Sequence, residues 1–416
     1  MPIRVLPGDT NNFDARSGKL IYSTPMNRNI LKAYAAAFLK NLQFFGPISV
    51  PYFLDWLRVD YTRMFILQAW FLFWVFVLEV PTGVVADKFG RKMSVAIGCL
   101  LFAADMLFFG LSKNYPLLFV AEFLGAVGMT LISGADQALL YDSLVALKKE
   151  ERARFYFSRY QAAGTLGLLV AFPMGSWIAG LRDYPSLLPV PFALTTLSAV
   201  LAAGMFFTMR EPPRTKPKEH FLKMGMLGLR TLFERRELRA YVLNAVTISA
   251  VTFFAFWLYQ PVAQRGGLVV TYFGFIGAGF NLFSTILLAN IRILEKAIGV
   301  RRLLLLTAFV PAVLFIALGF IHLLAFAIPA LFILVGCRMV RIPILNELIN
   351  RHVESENRAT VISSISLLER FITFLLYPIV GQLADMSLDY ALWLLGGVCL
   401  AFAAGTRISG RHLTEG

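Results

Sequence analysis

The stretch Gly83-Val-Val-Ala-Asp-Lys-Phe-Gly-Arg-Lys92 separates two apolar segments, one that begins near Tyr61 and one that begins at Met93. Each segment is about as long as the ~20 residues that a helix needs to cross a bilayer. A short turn with glycine and several cations between two such segments is typical of a cytoplasmic hairpin in a membrane protein with many spans. The chain is therefore predicted to lie in lipid.

The composition supports the same prediction. Of 416 residues, 58% are apolar and only 15% are charged, whereas a soluble domain carries roughly 25% charged residues. The net charge of +14 would suit nucleic acid only if it formed a basic patch on a soluble domain. Because the basic residues instead cluster in turns between apolar segments, a nucleic-acid partner is excluded and the lipid bilayer is expected.

About twelve apolar segments of spanning length follow one another along the chain. They cover roughly residues 30–52, 62–82, 93–111, 116–144, 156–181, 190–209, 238–261, 267–291, 303–321, 324–349, 359–384 and 388–406. The longest polar interruption divides them six and six. We therefore predict an all-α integral membrane fold with about twelve transmembrane helices in two six-helix pseudo-symmetric bundles.

This division predicts five regions. They are a cytoplasmic N-terminal segment (1–29), the N-terminal six-helix bundle (30–209), a cytoplasmic central loop (210–237), the C-terminal six-helix bundle (238–406) and a cytoplasmic tail (407–416). The central loop mixes apolar and basic residues, which suits either an amphipathic helix on the membrane surface or a solvated linker. Most Lys and Arg residues fall on one side in this arrangement, so both termini are predicted to be cytoplasmic.

The two halves also resemble each other in sequence. The acid, glycine and cations of Asp87-Lys-Phe-Gly90-Arg91-Lys92 after span 2 recur after span 8 as Glu295-Lys-Ala-Ile-Gly-Val-Arg-Arg302. Internal repeats of this kind are common in secondary transporters. Because the two sequences occupy corresponding positions in the two halves, they favour a bundle that is duplicated within the chain.

The Asp87-Lys-Phe-Gly90-Arg91-Lys92 sequence resembles the signature loop between helices 2 and 3 of the major facilitator superfamily. The resemblance implies a twelve-helix secondary transporter of the prokaryotic inner membrane, in an exporter-like group, working by alternating access on a small-molecule substrate. It also implies a monomer and coupling to a proton or another ion. A facilitated uniporter or an importer of organic anions with the same fold remains the alternative.

The resemblance implies a cytoplasmic gate. In the family, the loop acid bonds to the start of a neighbouring helix and the cations hold acids at helix ends, which gives Asp87 and Arg91 their roles and makes Asp142 a partner for Arg91 or Lys92. The predicted gate residues are Gly83, Asp87, Lys88, Gly90, Arg91, Lys92 and Asp142. The alternative is that these cations only set the topology.

Charges inside the spans are the candidates for coupling. An ionisable residue at membrane depth is costly and faces the bundle interior or a water-filled cavity. The candidate proton acceptors are Glu79, Glu122 and Asp136, and Asp105 ranks lower because span 3 is usually peripheral in the family. Structural ion pairing is the competing interpretation, with Glu347, Glu369 and Arg370 as its first candidates.

The family places its substrate cavity between spans 1, 4, 7 and 10. By this resemblance the candidate lining residues are Asn41, Gln43, Gln137, Asn244, Tyr259, Arg338 and Arg341. The two arginines are three residues apart and share a helix face. They indicate either a site for an anionic solute or a structural pairing with acids such as Glu347 and Glu122.

Two other classes of function, a membrane enzyme and a membrane sensor or scaffold, suit the sequence less well. A membrane enzyme would need a catalytic or metal-binding constellation, yet the four histidines lie in loops or at the ends of spans without ligand spacing. A membrane sensor or scaffold would be favoured by a large soluble domain, which the predicted regions do not include. No enzyme activity, cofactor or metal is therefore expected.

Overall fold

The computed structural model describes residues 13–14, 19–20, 25–181, 183–212, 236–352 and 358–405. Within these ranges, ten helices are long and apolar enough to cross a membrane. A broken helical segment that begins at Pro25 and an apolar helix that ends at Gly405 bring the described spans to twelve. The predicted fold class is confirmed.

Spans 1 to 6 make the first half. Span 1 consists of the helix Pro25–Lys40 and, after a turn, the short helical turns Gly46–Ile48, Ser49–Pro51 and Tyr52–Trp56. The others are Tyr61–Phe89 (span 2), Arg91–Leu111 (span 3), Tyr115–Ile132 with Ala135–Ala146 (span 4), Ala153–Ala179 (span 5) and Val190–Phe207 (span 6). A 3-10 turn, Glu150–Arg152, precedes span 5.

Spans 7 to 12 make the second half. Span 7 is Arg236–Phe253 with Ala255–Arg265, and a 3-10 turn, Val270–Tyr272, leads into span 8, Phe273–Ala289. A short helix, Ile291–Ile298, connects to span 9, Val300–Phe320. Spans 10, 11 and 12 are Leu324–His352, Arg358–Met386 and Leu388–Gly405.

Three predicted regions fall wholly or mainly outside the described residues. They are the cytoplasmic tail 407–416, the N-terminal segment 1–29, of which only 13–14, 19–20 and 25–29 are described, and the central loop with its amphipathic helix, of which only the ends of 210–237 are described. Before span 1, Phe13–Asp14 pairs antiparallel with Lys19–Leu20. The sequence analysis did not predict this pair, because two-residue strands leave no periodicity to read.

Helix packing repeats between the halves. In the first half, span 3 packs on spans 4 and 6, span 2 on span 4, and span 1 on spans 5 and 6. In the second, span 9 packs on spans 10 and 12, span 8 on span 10, and span 7 on spans 11 and 12. Between the halves, span 2 packs on span 11 and span 5 on span 8. Adding six to each number converts one set into the other, as a pseudo-twofold relation requires.

The two ends of the bundle differ in charge. We call the end where spans 2 and 3 meet at Gly90 the basic face, because Arg91, Lys296 and Arg301 lie there. We call the other end, where span 11 terminates, the Asp385 face.

Within the described residues, the apolar core that contains residues of both halves is centred toward the Asp385 face. That core joins Ile48 and Phe65 of the first half to Phe254, Phe273 and Tyr377 of the second. Toward the basic face, one core is confined to the first half and two smaller ones to the second. The bundle is therefore sealed at the Asp385 face, while the cores separate toward the basic face.

Hydrogen bonds between the halves reinforce the sealed end. The Asp385 carboxylate accepts the backbone N–H groups of Tyr61 at 2.7 Å and Thr62 at 3.0 Å, which begin span 2. A carboxylate at a helix N-terminus satisfies unpaired donors and complements the helix dipole. The Gln260 side chain of span 7 likewise accepts the N–H of Val50 in span 1 at 2.9 Å.

Spans 3 and 4 approach each other closely at two glycines. A Cβ added at Gly98 would lie 2.7 Å from the carbonyl oxygen of Gly128, and one added at Gly128 would lie 2.7 Å from the carbonyl oxygen of Gly98. Small residues at helix interfaces in membranes permit such backbone approach. The contact leaves no room for a methyl group unless the helices separate.

We expect Gly128→Ala to lower the free energy of unfolding by about 1–3 kcal/mol, as overpacking usually does. Gly204→Ala in span 6 is the control, because a Cβ there meets no atom within 4 Å and alanine favours helix over glycine. Thermal unfolding in detergent measures both variants. Equal melting temperatures would contradict the prediction.

Candidate functional site

A cavity of about 510 Å³ opens among spans 1 to 4. Its apolar wall includes the rings of Phe45, Phe71 and Phe102. Its polar and charged lining consists of Lys40, Asn41, Gln43, Ser133, Asp136 and Gln137. Sites for small organic molecules usually have this size and this mixture of an apolar wall with a few placed polar groups. Three predicted lining residues, Asn41, Gln43 and Gln137, therefore meet at one cavity.

Two breaks in the helices line this cavity. The first helix of span 1 ends at Lys40 and a turn follows, while span 4 is interrupted between Ile132 and Ala135. Gly134 in the second break has φ +72°, which glycine adopts without the strain of a Cβ. Non-helical backbone at membrane depth is tolerated where protein buries it or water reaches it. Broken helices of this kind form binding sites in many transporter folds.

Asp136 is held by a cluster that joins three spans. Its Oδ2 atom forms an ion pair with the Lys40 ammonium and accepts the Tyr160 hydroxyl at 2.7 Å. Lys40 also donates to the Tyr160 oxygen at 3.2 Å, and Oδ1 accepts the N–H of Gln137 at 2.7 Å. The cluster therefore pairs a buried carboxylate with a cation and a hydroxyl at the cavity wall.

Tyr160 was not among the site residues predicted from the sequence, none of which came from span 5. A signal existed, because Tyr160 lies seven residues into its helix from the basic face. Asp136 lies ten residues from the same face along span 4. Comparing the depths of polar residues across neighbouring spans would have brought the two together.

We expect Lys40→Met to lower the free energy of unfolding by up to about 3 kcal/mol, because removing one partner strands a buried charge. Breaking a fully buried pair usually costs about 3–5 kcal/mol. We expect the lower end of that range, since the Lys40 side chain is 19% exposed. The double variant Lys40→Met/Asp136→Asn should recover part of the loss. Thermal unfolding in detergent checks this, and a double variant no more stable than the single one would contradict it.

A second group of carboxyls lies one turn from the cavity. Glu122 accepts a hydrogen bond from the Gln68 side chain at 2.8 Å. Asp105 of span 3 packs against Gly125, where an added Cβ would lie 2.8 Å from the Asp105 Cγ atom. Gly125 itself lines the cavity. The sequence analysis ranked Asp105 low because of its span, yet the structure places it beside Glu122.

Glu79 forms an ion pair with Arg370 that crosses between the halves, from span 2 to span 11. Both side chains are about one third exposed or less. From the sequence, Glu79 was a candidate proton acceptor and Arg370 a candidate for structural ion pairing. The structure gives each residue the other as its partner.

Arg338 is engaged within the second half. Its guanidinium binds Glu369 at 2.8 Å, donates to the Ser249 carbonyl and lies 5.4 Å from the centre of the Phe253 ring. The sequence analysis considered Glu347 and Glu122 as partners for the arginines of span 10. Glu122 instead binds Gln68, and Glu369 takes the place beside Arg338.

Arg341 is 1% exposed and is held by neutral groups. It donates to the Leu304 carbonyl at 2.8 Å, to the Thr307 hydroxyl at 3.2 Å and to the Asn244 side-chain oxygen. Asn244 in turn donates to the Phe402 carbonyl at 3.0 Å. These contacts join spans 7, 9, 10 and 12 rather than line the cavity.

The two remaining candidates of the second half also lie away from the described cavity. Tyr259 is buried against the rings of Phe273 and Phe280. Glu347 is exposed near the end of span 10. The cavity lining comes from spans 1 to 4, whereas the family resemblance led us to expect residues of spans 7 and 10 as well.

The turn at Gly90 joins three helix ends at the basic face. Arg91 binds Asp142 at 2.5 Å and the Ala138 carbonyl at 3.0 Å, so the predicted contact is present. Glu211 accepts the N–H groups of Arg91 at 2.8 Å and Lys92 at 2.9 Å. Glu211 therefore caps span 3, a role that the sequence analysis missed because 120 residues separate the partners.

The other gate candidates are less constrained in this conformation. A Cβ added at Gly83 would meet no atom within 4 Å, so no neighbouring helix packs closely on Gly83 in this conformation. Lys88 is exposed, with its ammonium 5.6 Å from the centre of the Phe89 ring. The side chain of Asp87 lies outside the described residues.

Comparison with known sequences identifies one family and several partial relatives. A sequence model described as Major Facilitator Superfamily matches residues 34–378. Multidrug resistance protein 1 of Bacillus subtilis is 27% identical over 184 residues, which is 44% of this chain and 45% of that protein. Multidrug resistance protein MdtH of Salmonella newport is 31% identical over 101 residues, 24% of each chain. The chain thus matches less than half the length of these relatives.

Comparison with solved structures identifies the fold. The nucleoside transporter NupG aligns with a TM-score of 0.76 at 13% identity, covering 91% of this chain and 98% of that one. A bacterial homolog of the human lysosomal transporter Spinster, inward-facing and unoccupied, aligns with a TM-score of 0.70 at 15% identity over 92% and 93% of the two chains. At these identities the likeness shows the fold alone.

Proposed function

This chain belongs to the Major Facilitator Superfamily, and we propose that it is a proton-coupled secondary transporter that exports an amphipathic organic solute by alternating access. The family match and the shared fold support secondary transport. Export of a drug-like solute is supported by partial relatives named multidrug resistance proteins.

The observation that carries the proposal is the position of the cavity. Phe45 and Phe102 of its wall pack against the core shared by both halves, and Ile132 packs against the core of the first half alone. The cavity therefore lies where the shared core ends. A solute there is closed off from the Asp385 face, while toward the basic face the apolar cores of the two halves are separate, as one end state of alternating access requires.

We propose that the basic face is cytoplasmic. Lys and Arg residues collect in its turns, and the positive-inside rule assigns such turns to the cytoplasm. Both termini then lie in the cytoplasm, and the Asp385 face points outward. The conformation described is inward-facing in this assignment.

Asp136 is proposed as the coupling carboxyl at the cavity. When it takes a proton, the charge that holds the Lys40 ammonium disappears, and Lys40 and the Tyr160 hydroxyl must find other partners. Because these residues come from spans 1, 4 and 5, protonation loosens contacts between three helices. A proton can thereby bias one conformation over another.

The lining favours an amphipathic cation over an anion. Aromatic rings bind apolar bodies and attract cations, and two further carboxyls lie one turn away at Glu122 and Asp105. The guanidinium groups of Arg338 and Arg341 already have partners. The importer of organic anions that the two arginines first indicated is the second candidate.

A matched pair of probes tests the charge preference. We expect a dansyl-labelled quaternary ammonium to bind the purified protein at least about tenfold more tightly than a dansyl sulfonate of equal chain length, a difference of about 1.4 kcal/mol. Fluorescence titration measures both. Tighter binding of the sulfonate, lost in Arg338→Ala, would support the anion importer instead.

Replacement of the coupling carboxyl should separate exchange from accumulation. In proteoliposomes, Asp136→Asn should keep exchange of the dansyl cation between the two sides but lose accumulation driven by a pH gradient, since the carboxyl at the cavity can then bind no proton. Asp183→Asn, at an exposed position outside the spans, is the matched control. Gradient-driven accumulation at the wild-type rate in Asp136→Asn would exclude this role and leave the uniporter alternative open.

We further propose that the turn at Gly90 is the gate of the basic face. Arg91 and its partner Asp142 tie spans 3 and 4, and Glu211 fixes the start of span 3. Asp87, Lys88 and Lys92 complete the motif by family resemblance. By the same resemblance, Asp87 is the acid that would bond to the start of a neighbouring helix when the halves close at this face.

A further inference from the structure

Asp105 and Glu122 lie directly behind the cavity wall. Phe102 and Gly125 line the cavity, and each carboxyl is three residues away from one of them, toward the Asp385 face. Along span 4, Glu122 is about 10 Å from the helix start at Tyr115 by helical rise. The pair therefore lies between the cavity and the sealed end.

The Asp105 carboxyl lacks the partners that a buried charge requires. The residue is 2% exposed, and its Oδ1 atom has no hydrogen-bond partner in the described part of the chain. Glu122 is 6% exposed and holds the Gln68 amide. An isolated ionised carboxylate in an apolar interior is so costly that it takes up a proton instead.

The charged groups of the surrounding spans do not compensate the pair. Span 6 contains no ionisable residue between Val190 and Phe207. On span 2, Glu79 is bound to Arg370, and Arg63 is exposed at the Asp385 face beside Asp60.

Further ionisable groups come from spans 4 and 11. On span 4, Asp136 is bound to Lys40. From span 11, the Tyr377 ring stacks on Phe65 with 5.3 Å between the ring centres, and Asp385 caps span 2 at the Asp385 face. Neither Asp105 nor Glu122 forms an ion pair with any described Lys or Arg.

We propose that Asp105 and Glu122 form a proton-binding pair distinct from the Lys40–Asp136–Tyr160 cluster, loaded from water when the Asp385 face opens. The pair binds one proton, converting one carboxylate to a carboxylic acid. The role of the pair in transport rests on the proposed function. The binding of a proton by the pair does not depend on that function. Two titratable groups then flank the cavity, the pair on the side of the Asp385 face and Asp136 on the side of the basic face.

Infrared spectroscopy of the full chain in liposomes tests the bound proton without any solute. At about pH 7, well above the ordinary carboxyl range near 4, wild-type protein should show the carbonyl stretch of a protonated carboxylic acid in an apolar site. The variant Asp105→Asn/Glu122→Gln should lose that band. Asp183→Asn/Glu151→Gln, which changes two exposed acids, should retain it.

Each outcome decides the proposal. No protonated-carboxyl band in the wild type overturns it, whether or not the variants fold. A band that persists in the folded double variant, checked by gel filtration and melting temperature, overturns it too. The single variant Glu122→Gln provides an additional test. Its carboxylic-acid band should differ from that of the wild type in intensity or frequency.

Transport measurements separate this inference from the proposed function. If the pair couples transport, the double variant should exchange the dansyl cation but lose accumulation driven by a pH gradient, and wild-type accumulation in that variant would overturn the coupling role. If the wild type transports neither dansyl probe, the proposed solute class is wrong. The infrared measurement still tests proton binding by the pair, because it does not depend on transport.

Discussion

The high cost of an unpaired charge in lipid determines how this bundle is assembled. A charged side chain at membrane depth costs several kcal/mol unless another charge or a water-filled cavity compensates it. The pairs Lys40–Asp136, Glu79–Arg370 and Arg338–Glu369 each satisfy that requirement. Because the partners come from different spans, each pair also fixes how two helices approach each other.

The three ion pairs differ in which parts of the molecule they hold together. Arg338–Glu369 joins spans within the second half and is retained if the halves move as rigid bodies. Glu79–Arg370 crosses between the halves, so any opening along spans 2 and 11 must break it or carry it into water. Lys40–Asp136 borders the cavity, where a solute or a proton reaches it. The same interaction thus stabilises one bundle, joins two bundles or senses the cavity, depending on its position.

The sequence predicted the class of fold because apolar length and the spacing of basic turns are local properties. It also identified most ionisable residues at depth, since each interrupts an apolar segment. Apart from Arg91 and Asp142, it did not predict which charges meet. Glu369 rather than Glu347 reaches Arg338, and Glu211 caps span 3 from 120 residues away. Partner choice depends on helix rotation and tilt, which packing decides and a single helix pattern does not encode.

The seal at the Asp385 face shows how spans 2 and 11 serve both ends of the molecule. At that face, span 11 supplies a carboxylate that accepts N–H groups at the start of span 2. By family resemblance, the proposed gate at the basic face uses the inverse arrangement, with Asp87 of span 2 meeting the start of the neighbouring helix. Each span would then offer an acid at its end to the other span at its beginning. Since a helix N-terminus is an anion site at either face, two antiparallel helices provide one such latch at each end. Only one latch need close in a given state, and breaking it costs hydrogen bonds that water can replace. Such latches are weak enough to alternate, whereas the ion pairs buried within each half keep that half rigid as it moves.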